Sequence, residues 1–77
     1  MSIYDEIKAE RENQDKKWGG PSHDDEHTKD DWFYFVYAQA HRAVDSGQDF
    51  RQQMIRVAAL AIAAIESYDR IHNEKNK

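Results

Sequence analysis

The chain has no cysteine, a single proline, three glycines, and no apolar run longer than the nine residues from Val57 to Ile65. Without cysteine there is neither a disulfide nor a thiolate zinc site to brace its 77 residues. Chains below roughly 80 residues rarely bury enough apolar surface to be comfortably stable alone, so self-association is expected. The apolar run falls far short of the roughly 20 residues that a membrane-spanning helix needs, which excludes a transmembrane helix. Met1-Ser2-Ile3-Tyr4-Asp5-Glu6 carries neither the basic nor the apolar region of a secretory signal, so the expected location is the cytoplasm, with which the lack of cysteine is compatible.

Positive charge is also scarce where it would matter for nucleic acid. The formal net charge is −4, and residues 1–31 hold ten acids against five bases, while the rest holds five against six. An acidic chain lacks the field that duplex DNA or an anionic membrane rewards, so neither bulk nucleic acid nor membrane is an expected partner. A local arginine site for a small phosphorylated ligand stays open.

What is present is helical patterning. Ser2 followed by Asp5 reads as a capping box, and Ile3, Ile7, Gln14 and Trp18 recur at about helical spacing. A first helix is expected from Ile3 to Lys17, too charged to bury more than a thin stripe. Gly19-Gly20-Pro21 stops it, and residues 18–29 read as a loop. Thr28 and Asp31 repeat the capping box before a second helix, expected from Lys29 to Asp45, whose first turns carry Trp32, Phe33, Tyr34, Phe35, Val36 and Tyr37 in succession. One protomer cannot cover rings on every side of a helix. Ser46-Gly47 supplies a stop, and Asp49 can cap a third helix from Phe50 to His72. There Met54, Val57, Ala61, Ile65 and Tyr68 form one face, with Ile55, Leu60 and Ile62 elsewhere, as in the centre of an oligomer. Residues 72–77 read as a frayed polar tail. The expected architecture is one all-α domain over residues 1–77: a hairpin of two long helices plus an N-terminal helix, in an oligomeric bundle.

Chemistry-bearing residues are few. His23, Asp24, Asp25, Glu26 and His27 are adjacent and metal-compatible, but loops before capped helices commonly collect such residues to satisfy backbone donors. Glu66 and Asp69 share a helix face, beside Arg70, which favours a salt-bridged surface. Arg56 has no acidic neighbour at helical spacing and Arg42 only Asp45, three positions on at the expected helix end, and guanidinium groups near aromatic rings suit a site for phosphate and base. No Ser/His/Asp set and no phosphate-binding glycine loop is present.

The stretches ERENQDKKWGGPSHDDEHTKDDW and RQQMIRVAALAIAAIESYDR resemble a group of small phage and prophage proteins. More distantly they are similar to the phage-type MazG-like all-alpha nucleotide pyrophosphohydrolases. The resemblance runs from Ile7 to Arg70. In those enzymes an E-E-x-x-E element on one helix and an acidic pair on the next hold magnesium against a triphosphate. Laid on that pattern, Ala38, Gln39 and Arg42 fall at the first element, and Gln53 and Arg56 at the second, with every acid gone. The resemblance thus implies a nucleotide-binding protein without metal or cofactor and without hydrolysis. A phage-encoded sponge that sequesters a nucleotide-derived immune signal, of cyclic nucleotide or ADP-ribose type, in the host cytoplasm is the expectation. Arg42 and Arg56 would meet phosphate, Trp18, Trp32 and Tyr37 would stack on the base, and Gln39 and Gln53 would make polar contacts. Two alternatives are a magnesium-dependent pyrophosphohydrolase with a rearranged site built from His23, Asp24, Asp25, His27, Glu66 and Asp69, and an accessory protein whose aromatic helix engages a host protein.

Overall fold

The computed structural model describes residues 2–45 and 49–75, and these are all-helical: α1 (Ile3–Trp18), α2 (Pro21–Asp24), α3 (Lys29–Val44) and α4 (Phe50–Lys75). Local chemistry sets the boundaries. Asp5 N–H donates to Ser2 Oγ at 3.1 Å and Asp31 N–H to Thr28 Oγ1 at 3.1 Å, while Ser2 and Thr28 N–H donate back to the Asp5 and Asp31 carboxylates. Both capping boxes therefore form, relieving orphan amides at the starts of α1 and α3. Asp49 caps α4 through its carboxylate, which accepts from Gln52 N–H at 3.3 Å.

The ends of α1 and α3 fall within one residue of expectation, while two segments depart from it further. The segment read as a loop contains α2, one turn begun by Pro21 at the first helical position and closed by the Gly20 carbonyl, which accepts from His23 and Asp24 N–H at 3.1 and 3.0 Å. The expected tail is helical to Lys75. Ser46-Gly47 lies outside the described residues.

α3 and α4 form the hairpin, and α1 and α2 both pack on α4. The core is small: Ala43, Ile55, Ala59, Leu60 and Ala63 are its buried apolar residues, with Gln14, Asp24, Gln53 and Ser67 buried among them. The face of α4 turned inward therefore carries Gln53, Leu60, Ala63 and Ser67. The expected apolar face is not that one, since Ile65 and Tyr68 are exposed. An alanine-rich helix with apolar residues all around does not announce its inner side; the small Ala59 and Ala63 face inward because they admit the closest approach of neighbouring helices.

Candidate functional site

The last two turns of α1, the end of α2, one side of α3 and the middle of α4 enclose a cavity of about 300 Å³. Along α3 its wall is formed by Trp32, Phe35, Ala38, Gln39 and Arg42, a run of about 15 Å at the rise of an α-helix. α1 contributes Arg11, Gln14, Asp15 and Trp18, the α2 region His23, Asp24 and His27, and α4 Leu60 and Ala63. Such a size and mixed lining suit a small organic ligand.

Each polar group has a distinct status. Gln14 is 5% exposed, and its amide Nε2 donates to Glu10 Oε2 at 3.2 Å and to the Arg56 carbonyl at 3.5 Å. Those donations fix the amide orientation and leave Gln14 Oε1 buried without a hydrogen-bond donor. Gln39 Oε1 is likewise buried and unpartnered. Leaving such an acceptor unsatisfied costs about 1–3 kcal/mol. Arg11 pairs with Asp15 at 3.2 Å and Glu66 at 2.6 Å. Burial opposes its charge, but the Glu66 hydrogen bond and the nearby Asp15 and Glu66 carboxylates outweigh burial and raise its pKa. Arg42 enters no ion pair among the described residues. The rings of His23 and His27 meet edge to face with their Nε2 atoms 3.2 Å apart, a contact needing one donor and one acceptor. His27 in turn sits edge-on to Trp32 and Phe35 at 5.4 and 4.9 Å.

Asp24 and Asp25 are neighbours with opposite fates. Burial pushes the Asp24 carboxyl above the usual range. Asp25 points away from the cavity: it accepts from Arg70 Nη2 at 2.7 Å and from Ser67 Oγ at 2.8 Å, and these bonds lower its pKa. The clamp fastens the α2 region to α4. Because the folded pKa of Asp25 is depressed, its stabilisation is full above the ordinary value near 3.9 and lost as pH falls through the folded pKa. Asp24, with a raised folded pKa, contributes stability below that ordinary value and loses it as pH rises through the folded one. Asp25→Asn is accordingly expected to lower stability at neutral pH by about 1 kcal/mol and to flatten the acid limb, whereas Asp24→Asn raises stability at neutral pH. Urea midpoints across an acid-to-neutral series check both directions.

Of the residues singled out in the sequence, the cavity collects Trp18, Trp32, Gln39 and Arg42, and with them His23, Asp24 and His27. It does not collect Tyr37, which is exposed and stacks loosely on Phe33, or Gln53, which is buried away from the cavity. Arg56 offers α1 its carbonyl, and its side chain is not in the wall. Asp25 belongs to the clamp, Glu66 to the Arg11 pair, and Asp69 is exposed, so the six residues of the rearranged metal site are not gathered around one point. Among the described residues no group of three or more His, Cys, Asp or Glu side chains is disposed to hold a metal ion. Arg11, Gln14 and Asp15 are the site residues that sequence reasoning missed. Gln14 was visible as an oddity, the one polar residue in the apolar stripe of α1.

Comparison with protein-family models, with curated proteins and with solved structures finds no match.

Proposed function

We propose that this cavity binds a nucleotide-derived small molecule and holds it without hydrolysing it. The observation that carries the reading is a cavity whose wall holds two indoles together with Arg42, which enters no ion pair among the described residues. Trp18 and Trp32 offer flat apolar surface for a base, and stacking on such rings contributes about 1–3 kcal/mol. The Asp24 carboxylate in the wall is an acceptor. It favours a base that presents an exocyclic amino group over one whose exocyclic groups are carbonyls. In this reading the base lies at the α2 end, beside Asp24, and phosphate at the far end of α3, beside Arg42, which enters no ion pair among the described residues.

The absence of hydrolysis rests on the resemblance to MazG-like enzymes, in which the positions of Ala38, Gln39 and Arg42 are acidic. Two neutral side chains and a guanidinium there suit direct contact with ligand oxygens instead of metal. Retention without turnover is what a sponge requires, and a phage-encoded sponge for a nucleotide immune signal is the role we assign.

Native mass spectrometry against linear and cyclic nucleotides, with and without magnesium, tests this. Expected are complexes of unchanged ligand mass, formed without magnesium, with adenine, cytosine or guanine preferred over uracil, and at least tenfold weaker in Arg42→Ala. Failure of every nucleotide to bind overturns the binding reading, and release of a cleaved product overturns the sponge.

A further inference from the structure

The α3–α4 hairpin has two sides, and among the described residues only one is covered. Phe35, Ala38 and Arg42 of α3 face the cavity, while Glu66, Ser67 and Arg70 of α4 engage α1 and the α2 region. On the opposite side Phe33, Tyr37, Ala40 and Val44 follow one another at steps of four, three and four along α3. Met54, Ala58, Ala61 and Ile65, continued by Tyr68, repeat those steps along α4. Both are the apolar seam spacing of helices that pack side by side. A third of the chain is charged, yet none of these nine positions is. Most of the large members are bare: Phe33 is 71% exposed, Tyr37 58%, Val44 76% and Ile65 60%. An apolar cavity of about 460 Å³ has Ile65 and Tyr68 in its wall, room for a side chain from outside.

We infer that this open face is the interface with a second copy of the chain, two hairpins packing face to face as a four-helix bundle with α1 on each outer side. Area selects a second copy as the occupant. A compact monomer of 9.1 kDa exposes about 4,900 Å² by the general scaling of surface with mass. This chain exposes 5756 Å². The excess, on the order of 900 Å², matches the roughly 800 Å² that each partner contributes to a stable interface. The face is also self-complementary in kind: it bears large residues (Phe33, Tyr37, Ile65) and small ones (Ala40, Ala58, Ala61), so a two-fold axis can set each set against the other. This inference is independent of what the cavity binds.

Sedimentation velocity on the full chain at micromolar concentration tests it. The expected species has twice the chain mass. Phe33→Lys and Ile65→Lys, at exposed positions, are expected to weaken the dimer at least a hundredfold with helical circular dichroism retained. Tyr34→Lys, equally exposed but off the seam, leaves the dimer intact. Should a lysine variant lose its helical signal, Phe33→Ala reads the same contact with a smaller loss of affinity. A monomeric wild type, dimers that persist in both Phe33 and Ile65 variants, or a Tyr34 variant as weakened as Phe33→Lys would overturn the assignment.

Discussion

Ile55→Ala is expected to lower the free energy of unfolding by about 2–5 kcal/mol, the range for truncating a large buried aliphatic. Such a loss is severe here. A domain of this length holds only about 4–12 kcal/mol in total, and Ile55 and Leu60 are the large aliphatics of a core otherwise built from alanine. Leu60→Ala falls at the lower end of the range, because Leu60 already lines the cavity and its removal enlarges a space that ligand or water can enter. Urea denaturation at one fixed protein concentration checks the order, since the stability of an associating chain depends on concentration. Equal losses at the two positions would mean that the cavity is closed around Leu60.

Gly20→Ala has the second large effect, of order 1–3 kcal/mol, and for a different reason. Gly20 sits at φ 73° and ψ −155°, a combination open essentially to glycine alone. No atom lies within 4 Å of where its Cβ would be, so the cost is backbone strain and not a clash. The strain falls on the residue whose carbonyl closes α2, and α2 carries His23 and Asp24 into the cavity. Gly19→Ala, at φ 101° in the left-handed region, costs about 1 kcal/mol. Thermal unfolding of the two variants checks the order, and a Gly20 variant as stable as wild type would remove α2 as a strained element. Nucleotide affinity should fall with Gly20→Ala more than with Gly19→Ala.

The parts of the fold that local rules govern were readable from the sequence. Ser2 with Asp5 and Thr28 with Asp31 satisfy amides within their own turn, so the starts of α1 and α3 agree to the residue with expectation. What depends on distant contacts was not readable. α2 is a single turn, too short to leave a periodic pattern, and it is held by Asp25 reaching Ser67 and Arg70 more than forty residues away. The inner face of α4 was not readable because alanine reads as apolar wherever it stands, and only the approach of α1 and α3 separates Ala59 from Ala61.

The site was half readable for the same reason. Trp18, Trp32 and Arg42, singled out by chemistry, and Gln39, reached through the resemblance alone, line one cavity. Tyr37 and Gln39 are neighbours but one in sequence, and helical rotation sends them to different sides of α3. Gln14 could have been found by asking why a polar side chain occupies an apolar stripe. Arg11 and Asp15 could not, since charged residues fill most of α1 and nothing local separates those that turn inward.

α1 rests on α4 through an amide and two ion pairs, Gln14 to the Arg56 carbonyl, Arg11 to Glu66 and Arg51 to Glu6, with little apolar contact: Ile3 is 58% exposed and Ile7 only half-buried. Ion pairs in contact with solvent contribute little and weaken with salt. The helix that closes one wall of the cavity is thus also the layer whose local opening costs least. A ligand that bridges α1 and α3 does more than fill the space between them. By mass action it raises the free energy of that opening with every increment of occupancy, so the molecule is most nearly a single rigid body when its cavity is full.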